Sequence, residues 1–409
     1  MGLGDGTLED VVTGPVNSSA TDQVSVPEPF GGFYAGRRVL VTGHTGFKGS
    51  WLCEWLLTLG AEVTGLALAP EGEDPLFDRL NLADRLDSRI GDVRDADLVA
   101  GVVAEVHPDV VLHLAAQPLV RRSYLEPALT FSTNVAGTLN VLEALRREYA
   151  CRSIGRMSAR PPLAAVIVTS DKCYENLELT RGYREGDPLG GHDPYSASKA
   201  AAEIVAHSYR RSFFPPGHDV QLATARAGNV IGGGDRAVDR IVPDCMRALA
   251  AGEPVVVRHP RATRPWQHVL EPLSGYLWLA TRLAATLQDD IAIGSLNLGP
   301  EPDADRTVAE LVDEVLRHWP GTVAPAQAEP GAYDQRYEAV RHEAGLLSLD
   351  IGKAAGLGWR PTWGFAEAVA TTAQWYRAVH EGSDARLETV ADIEAYCAAA
   401  LAADATWAC

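Results

Sequence analysis

Short apolar segments alternate with amphipathic ones over the first half of the chain. Six segments rich in β-branched and other apolar residues predict β-strands at 37–42, 61–68, 89–93, 109–114, 164–169 and 221–226. Apolar residues at helical spacing predict α-helices at 50–59, 98–106, 133–147 and 195–213. Strands that alternate with helices form parallel sheets, and nearly continuous apolar strands indicate burial on both faces. The pattern therefore predicts an α/β fold with a Rossmann-type, doubly wound parallel sheet.

The pattern changes after residue 230, where glycine and proline become denser and the strands more isolated. Strands are predicted at 254–258 and 294–298, and helices at 307–319 and 365–379. We interpret 36–230 as the Rossmann domain and 231–400 mainly as a smaller α/β lobe; whether part of this segment returns to the first domain stays open. Residues 1–35 hold five acids and no lysine or arginine, which predicts a disordered acidic extension rather than a secretory signal.

Composition narrows the classes of function. The 409 residues are 46% hydrophobic, an ordinary globular value, and carry a formal net charge of −18. A chain this acidic offers no broad basic surface for a phosphate backbone, so we expect no nucleic-acid partner. No apolar run approaches the ~18 residues of a membrane span, so we expect no membrane association. The six cysteines are scattered without CxxC spacing, which predicts a reduced, cytoplasmic protein without a metal site.

Three glycines, Gly43, Gly46 and Gly49, follow the first strand and open the first helix. Glycine permits a tight turn there and lets backbone N–H groups approach a pyrophosphate at the helix N-terminus. The alternative is a purely structural turn. The segment 65–70 after the second strand lacks both the acid expected for an NAD ribose and an arginine for NADP, so it does not decide between these cofactors. Asp92 is either an adenine-binding residue or a turn aspartate.

Tyr195 and Lys199 lie four residues apart at the start of a long predicted helix. Residues at this spacing share a helix face, and a neighbouring cation favours phenolate, which predicts a lowered pKa for Tyr195 and a role as a base. The fifth strand is followed by Ser170-Asp171-Lys172, at the sheet edge where such folds bind ligands. Ser170 is expected to hydrogen-bond the hydroxyl that Tyr195 deprotonates. Asp171 and Lys172 form either an adjacent acid–base pair or a salt-bridged turn.

The glycine turn, the Tyr195/Lys199 pair and the strand order resemble the extended short-chain dehydrogenase/reductase family. Four segments, 43–51, 115–120, 169–174 and 264–269, are more specific and resemble the CDP-glucose 4,6-dehydratases within it. The resemblance implies an NAD-binding domain at 36–230 and a nucleotide-sugar-binding lobe after it, with NAD as the cofactor. The cofactor-binding residues that it implies are Gly43, Thr45, Gly46, Phe47, Lys48, Gly49, Asp92, Val93, Leu114, Ala115, Ala116, Gln117, Tyr195 and Lys199.

The resemblance also implies a closed redox cycle on a nucleotide-linked hexose, with CDP-glucose favoured. Tyr195, helped by Ser170 and Lys199, takes the C-4 hydroxyl proton while hydride passes to NAD. Water is then eliminated across C-5 and C-6, and the hydride returns to C-6. By analogy with the Asp-Glu pair of the dTDP-glucose enzymes, Asp171 is the acid and Lys172 the C-5 base. A lysine base must be neutral, which requires a lowered pKa.

Substrate contacts and partners follow from the same resemblance. Asn229, Arg236 and Arg264 are expected to bind the nucleotide-sugar diphosphate, since planar guanidinium groups match phosphate oxygens. The helices at 98–106 and 133–147 are expected to form the contact of a homodimer or homotetramer. Two alternatives stay open: a 4-epimerase or a 4,6-dehydratase for another nucleotide sugar, and a non-catalytic NAD-binding scaffold. The adjacent acid–base pair favours dehydration over epimerisation.

Overall fold

Seven parallel strands form the centre of the structure, a computed structural model that describes residues 1–2, 28–150, 161–237, 240–257, 260–285, 293–301, 305–319, 326–327 and 347–409. The strands are β1 (Arg38–Thr42), β2 (Glu62–Ala67), β3 (Asp87–Ile90), β4 (Val110–His113), β5 (Leu163–Val168), β6 (Val220–Ala227), β7 (Val230–Ile231), β8 (Val256–Val257), β9 (Thr263–Pro265), β10 (Gln267–His268), β11 (Ser295–Leu298), β12 (Asp305–Thr307) and β13 (Ala326–Gln327). The helices are α1 (Phe47–Thr58), α2 (Leu76–Arg79), α3 (Ala96–Val106), α4 (Val120–Leu125), α5 (Pro127–Phe131), α6 (Gly137–Ala150), α7 (Pro194–Ser212), α8 (Ile241–Ala250), α9 (Leu270–Ala285), α10 (Val308–Arg317), α11 (Gly352–Leu357), α12 (Phe365–His380) and α13 (Ala385–Ala402). The main sheet has the order β11-β6-β5-β4-β1-β2-β3 with every pair parallel, which confirms the predicted Rossmann-type α/β fold.

The third strand lies earlier than predicted. β3 ends at Ile90 rather than at Val93. Beyond it the Asp92 carboxylate accepts the backbone N–H of Arg94 at 2.9 Å. An aspartate that bonds the N–H two residues on favours a turn over an extended strand. Asp92 therefore follows the strand, at the carboxyl edge of the sheet.

Helices cover both faces of the sheet. α3, α6 and α7 pack on one face, where their apolar side chains form a core with strand residues such as Val111 and Ile167. α1, α9 and α13 pack on the other face around Val41, Val166 and Tyr396. α9, β11 and α13 all come from the second half of the chain, and β11 pairs with β6 at the sheet edge. The strand predicted at 294–298 thus completes the Rossmann sheet instead of belonging to the smaller lobe.

The rest of the second half forms that smaller lobe. α8, α10 and α12 pack around Met246, Leu311 and Val369. Two-stranded pairs join β7 to β10, β8 to β13 and β9 to β12. Thr307 and Glu310 exchange hydrogen bonds at the start of α10, a capping box that stabilises its first turn. The lobe carries Arg264 on β9, one of the predicted substrate-binding residues.

The two ends of the chain meet in one aromatic cluster. Phe30 and Tyr34 are buried, and the Phe30 ring stacks on Trp407 with 5.1 Å between ring centroids. The backbone N–H of Phe30 donates to the Trp407 carbonyl at 2.5 Å. The prediction of disorder for residues 1–35 is therefore wrong for 28–35, because these aromatic side chains find an apolar site formed by the C-terminal helix region. Residues 3–27 lie outside the described part of the chain.

Candidate active site

The glycine turn lies between β1 and α1, at the carboxyl edge of the sheet. Gly43 has a φ of +79° and packs so closely on the loop after β4 that a Cβ would lie 2.8 Å from the backbone nitrogen of Ala115. A Cβ on Gly49 would lie 2.1 Å from the Gly43 carbonyl oxygen. Gly46 is the N-cap of α1, and no side chain in the described part of the chain caps this helix. The first N–H groups of α1 are therefore open to an anion such as a pyrophosphate.

The remaining residues of the turn contact two neighbouring segments. The Thr45 hydroxyl donates to the Leu68 carbonyl, just beyond β2, at 2.9 Å. The Phe47 ring lies against Gly232, where a Cβ would come within 3.2 Å of it. The ammonium nitrogen of Lys48 lies 6.0 Å from the centroid of the Tyr276 ring on α9. The turn is thus tied both to β2 and to the loop that follows β7.

The His44 side chain lies against β2, the strand that is not followed by the acid expected for an NAD ribose. Its ring packs over Gly65, on which a Cβ would lie 2.3 Å from the imidazole. Its Nε2 shares a hydrogen bond with the Ser88 hydroxyl at 2.8 Å, and the ring meets Phe77 edge to face. Burial lowers the pKa of His44 to about 4, so the ring is neutral near pH 7. Gly65 is therefore needed to admit this histidine.

Asp92 and Val93 follow β3 on the same edge. A side-chain hydrogen bond from Arg94 is the main reason that the pKa of Asp92 is lowered. Val93 is buried beneath α6, where a Cβ on Gly137 would come within 2.8 Å of it. Both residues therefore follow β3 at the sheet edge that also carries the glycine turn, and Arg94 engages the Asp92 carboxylate.

The loop after β4, residues 114–117, is held in place by Asn134. Asn134 Oδ1 accepts the backbone N–H of Gln117 at 2.8 Å, and its amide donates to the Ser198 hydroxyl at 2.8 Å. It lies in a single π-helical turn, Ser132–Ala136, a feature that recurs at functional sites. Asn134 therefore couples this loop to α7. Sequence reasoning missed it, because one asparagine inside an amphipathic segment carries no signal.

Ser170, Asp171 and Lys172 form a tight turn at the end of β5. Ser170 caps the short 3-10 helix Asp171–Cys173 and donates to Asp171 Oδ1 at 2.8 Å. Ser170 and Asp171 are buried, whereas Lys172 is half-buried. A Cβ on Gly228 would lie 2.9 Å from the Asp171 carboxyl group, so the glycine after β6 provides the space that this group occupies.

Helix α7 begins where its own sequence directs. Asp193 accepts the backbone N–H of Ser196 at 3.0 Å, and Pro194 occupies the first helical position. An N-cap aspartate followed by proline stabilises a helix start because it satisfies a free N–H and presets the backbone. Tyr195 is therefore held in the first turn of the helix, next to the end of β5.

The structure brings four of the five predicted catalytic residues together. Ser170 acts on the Tyr195 hydroxyl, whose pKa it lowers, and it donates to Asp171 Oδ1, so Ser170 adjoins both groups. Lys199 is buried and its Nζ donates to the Val168 carbonyl at 3.3 Å. Lys172, the fifth, adjoins Asp171 in sequence, and the two charges act on each other.

The predicted lowering of the Tyr195 pKa by Lys199 is wrong for this structure. Burial, the largest cause, raises the pKa of Tyr195 to about 12, although the hydrogen bond to Ser170 and the charge of Arg240 oppose the rise. Burial also lowers the pKa of Lys199 to about 8. Desolvation therefore outweighs the cation at this position, and the phenol is neutral near pH 7.

A buried ion pair lies beneath these groups. Glu203 on α7 and Arg226 on β6 are joined at 2.8 Å, with side chains 1% and 3% exposed. Glu203 also accepts the hydroxyl of Thr169 at 2.5 Å. Because Thr169 directly precedes Ser170, the pair fixes the end of β5 relative to α7. Sequence reasoning missed it, since neither residue belongs to a recognisable motif.

Replacing Arg226 with methionine leaves the Glu203 carboxylate buried without its cation. We expect the free energy of unfolding to fall by about 3–5 kcal/mol, the usual loss when one partner of a buried pair is removed. Denaturant unfolding followed by circular dichroism measures this. Arg360→Met, which removes one partner of an ion pair whose side chains are 67% and 48% exposed, is the control and should cost less than about 1 kcal/mol. Equal losses in both variants would contradict the assignment.

Two of the predicted substrate-binding residues are accessible from solvent. Asn229 is exposed between β6 and β7. Arg236 is 38% exposed and forms an ion pair with Asp74 at 3.0 Å, so its guanidinium is engaged by the loop before α2. The glycines that precede Arg236 serve packing, since a Cβ on Gly233 would lie 2.0 Å from Trp375.

Arg264, the third predicted substrate-binding residue, lies beside a second arginine. In the antiparallel β9–β12 pair, Arg264 is directly opposite Arg306. Opposite residues share a face, and like charges there are unfavourable, which suits a position that receives an anion. Sequence reasoning missed Arg306, because the register of two short strands about 40 residues apart is not readable from their composition.

Arg240 is a further cation that sequence reasoning missed. It precedes α8 and pairs with Asp235 at 2.9 Å. Its charge opposes the burial-driven rise in the pKa of Tyr195. Together with burial, it lowers the pKa of Lys48 to about 8. The charge of Arg240 therefore acts on both Tyr195 and Lys48.

In the described ranges, no group of three or more His, Cys, Asp or Glu side chains is placed to hold a metal ion. Of the helices in those ranges, none combines the length and the apolar character needed to cross a membrane. The described cysteines are free thiols: Cys53, Cys173, Cys245, Cys397 and Cys409.

Known proteins match this chain over most of its length. The family model described as GDP-mannose 4,6 dehydratase matches residues 40–372. CDP-glucose 4,6-dehydratase from Salmonella typhimurium is 44% identical over 372 residues, which cover 90% of this chain and 98% of that protein. A dTDP-glucose 4,6-dehydratase from Streptomyces antibioticus is 30% identical over 356 residues, covering 83% of this chain and 92% of that one.

Solved structures share the fold. UDP-glucose 4-epimerase from Thermus thermophilus, in complex with NAD, superposes with a TM-score of 0.65 at 26% identity and covers 83% of this chain and 99% of its own. dTDP-glucose 4,6-dehydratase from Streptomyces venezuelae, with NAD bound, gives 0.62 at 26% identity, covering 83% and 97%. The chain therefore belongs to the GDP-mannose 4,6 dehydratase family of the extended short-chain dehydrogenases/reductases.

Proposed function

We propose that this protein is an NAD-dependent nucleotide-sugar 4,6-dehydratase that converts CDP-glucose to CDP-4-keto-6-deoxyglucose and water. The cluster of Tyr195, Ser170 and Asp171 at the carboxyl edge of a parallel sheet, in which Ser170 acts on Tyr195 and donates to Asp171, carries this proposal. It joins groups suited to oxidising an alcohol with an acid suited to expelling water, and Lys172 adjoins it. The 44% identity to a CDP-glucose 4,6-dehydratase favours the cytidine nucleotide.

The glycine turn fits NAD. The open N-terminus of α1 and the close backbone approach at Gly43 suit the pyrophosphate. Asp92 would bind the adenosine, and the loop 114–117 with Tyr195 and Lys199 would hold the rest of the cofactor. NAD supplies a hydride acceptor that later returns the hydride. This chain's residues bind and orient it and exchange protons with the sugar.

Tyr195 and Ser170 act on the C-4 hydroxyl. Ser170 holds the hydroxyl, and Tyr195 takes its proton while the hydride leaves C-4. Because burial keeps the pKa of Tyr195 at about 12, the phenolate needs positive charge nearby. Arg240 provides it on the protein side, since its charge lowers the pKa of Tyr195, and Lys199 lies one helical turn away.

Asp171 and Lys172 act on C-6 and C-5. The C-4 ketone acidifies the C-5 hydrogen, and Lys172 takes that proton. The C–H electron pair forms the C-5=C-6 bond, and the C-6 oxygen takes a proton from Asp171 and leaves as water. Burial raises the pKa of Asp171, which favours the protonated acid. A 4-epimerase has no step that uses this pair, so its presence favours dehydration.

The diphosphate of the substrate is assigned to the smaller lobe. Arg264 and Arg306 lie opposite each other on β9 and β12, a pair that suits two phosphate groups. Asn229 is accessible from solvent. Arg236 can bind a phosphate if the phosphate replaces Asp74 as the partner of its guanidinium group. The sugar then extends from these arginines toward Ser170.

A substrate panel tests the proposal. The purified enzyme with NAD is incubated separately with CDP-, dTDP-, GDP- and UDP-glucose, and ketosugar is measured by its ultraviolet absorbance in alkali. We expect product from CDP-glucose foremost. Equal activity on all four, or none on CDP-glucose, would overturn the substrate assignment. A C-4 epimer without ketosugar would favour an epimerase, and bound NAD without turnover of any hexose would favour a scaffold.

We also propose a homodimer, or a tetramer built from it, in the cytoplasm, as the unpaired cysteines suggest. The helices at 98–106 and 133–147, expected to form the contact, correspond to α3 and α6, which share a core within one subunit. Exposed apolar side chains are spread over the described surface, and three of them lie on α5, α6 and α7: Phe131, Leu139 and Ile204 are 40%, 39% and 59% exposed. These helices are the proposed contact. Sedimentation of the enzyme as a monomer at micromolar concentration would contradict it.

A further inference from the structure

Lysine is rare in this chain, and its placement is uneven. There are four lysines against thirty-two arginines. Lys172 and Lys199 belong to the candidate active site, and Lys353 lies away from it, where it donates to the Ile293 and Ser295 carbonyls. The fourth, Lys48, is in the first turn of α1. An arginine cannot replace a lysine where a compact cation with an adjustable pKa is required. A lysine at position 48 therefore indicates a specific role for its ammonium group.

Lys48 extends from α1 toward Tyr276 on α9. Its Nζ lies 6.0 Å from the centroid of the Tyr276 ring. Within the described part of the chain, no hydrogen bond or ion pair joins Lys48 to another residue. The Tyr276 hydroxyl is fully buried and has no partner among the described residues either. Lys48 is half-buried. Buried polar groups are nearly always satisfied, so the open Tyr276 hydroxyl beside this lysine indicates a position meant for a partner.

Both groups interact electrostatically with the Asp171 carboxyl group. Burial and the charges of Arg240 and Lys199 lower the pKa of Lys48 to about 8, and the charge of Asp171 opposes this fall. Besides burial, the charges of Tyr195 and Asp171 raise the pKa of Tyr276. The charge of Asp171 therefore acts on one group of α1 and one of α9, helices on the sheet face opposite α7.

Asp171 changes charge during the elimination. It starts as a buried neutral acid held by Ser170, and it becomes a carboxylate when it gives its proton to the C-6 oxygen. A carboxylate in such a place is costly unless a cation faces it. Lys172 is occupied with the C-5 proton, Lys199 with the Val168 carbonyl, and Arg240 with Asp235. Lys48 is the remaining cation of this set.

We propose that Lys48 is a positioning residue for the elimination step: its ammonium stabilises the Asp171 carboxylate that forms as water leaves C-6, and the Tyr276 hydroxyl binds that water. The inference rests on the proposed function. No atom is added to the reaction, because the proton lost by Asp171 leaves in the water and Lys48 keeps its own.

The test separates the steps of one turnover. Enzyme with NAD is mixed with CDP-glucose, and the absorbance of the reduced cofactor reports C-4 oxidation as it appears and elimination with hydride return as it decays. NAD is kept saturating, so that an effect of Lys48 on cofactor affinity does not enter the rates. For Lys48→Met we then expect the appearance to change less than about threefold and the decay to slow about tenfold to a hundredfold, the range expected for one charge pair. Lys48→Arg, which keeps the charge, should recover part of the decay rate. Lys353→Met is the matched control and should change neither phase.

A second comparison shows whether Lys48 acts through Asp171. In Asp171→Asn no carboxylate forms, so adding Lys48→Met should slow the residual decay less than about threefold. Equal slowing in both backgrounds, no rescue by arginine, or loss of the first phase would overturn the inference. Tyr276→Phe keeps the ring and should slow only the decay, by about threefold to tenfold; an unchanged decay excludes its part. If the unmodified enzyme forms no ketosugar from any nucleotide hexose, the proposed function itself fails.

Discussion

Replacing Tyr195 with phenylalanine should reduce ketosugar formation by about a thousandfold. The phenol is the group that takes the C-4 hydroxyl proton, and loss of a positioned base or acid costs roughly 10²–10⁴ in rate. Because the variant keeps the ring in the same buried position, NAD binding and the unfolding midpoint should change little. Ketosugar absorbance measures the activity, and quenching of tryptophan fluorescence measures NAD binding.

Tyr209→Phe provides the matched control on the same helix. Its hydroxyl donates to Glu143 on α6 at 3.1 Å, far along α7 from Tyr195, so activity should stay within about twofold. If Tyr195→Phe kept more than a tenth of the activity, another group would have to accept the C-4 proton, and the assignment of Tyr195 would be abandoned.

Substituting alanine for Lys172 should block removal of the C-5 proton and leave C-4 oxidation nearly unchanged. Without the C-5 base, exchange of the C-5 hydrogen with deuterated solvent should fall by about 10²–10⁴. C-4 oxidation uses Tyr195, Ser170 and Lys199, so the reduced cofactor should still form at close to the normal rate. Mass spectrometry of the recovered nucleotide sugar gives the exchange, and the absorbance of the reduced cofactor gives the oxidation.

Asp171→Asn is the companion variant for that experiment. It removes the acid but keeps the base, so C-5 exchange should persist while water loss is slowed. Equal loss of oxidation and exchange in Lys172→Ala would mean that Lys172 supports the site as a whole, and the role of C-5 base would then pass to another group.

Local sequence spacing predicted the residues that act within one element. Tyr195 and Lys199 are four residues apart on a helix, and the glycines at 43, 46 and 49 lie between a strand and a helix, so their neighbours in space are also neighbours in sequence. Ser170 and Asp171 were located because the ends of parallel strands meet at one edge. These predictions needed only the order of the elements.

Residues brought together from distant elements were not predicted. Arg306 faces Arg264 through strand register, and Asn134 reaches α7 from a π-helical turn. Helix α9 was missed because it is apolar on nearly every side, and a uniformly buried helix lacks the one-sided pattern that marks a surface helix. Phe30 was assigned to a disordered tail because its binding site is made by Trp407, at the other end of the chain.

The placement of α9, β11 and α13 has a consequence for how the chain is made. During synthesis, residues 36–230 are made before α9, β11 and α13. Until then the sheet has an unpaired edge at β6 and an apolar face that lacks the cover of α9 and α13. Exposed strand edges and apolar surface promote aggregation of nascent chains. The cofactor half therefore lacks part of its sheet and of its core until residues 270–402 have been made.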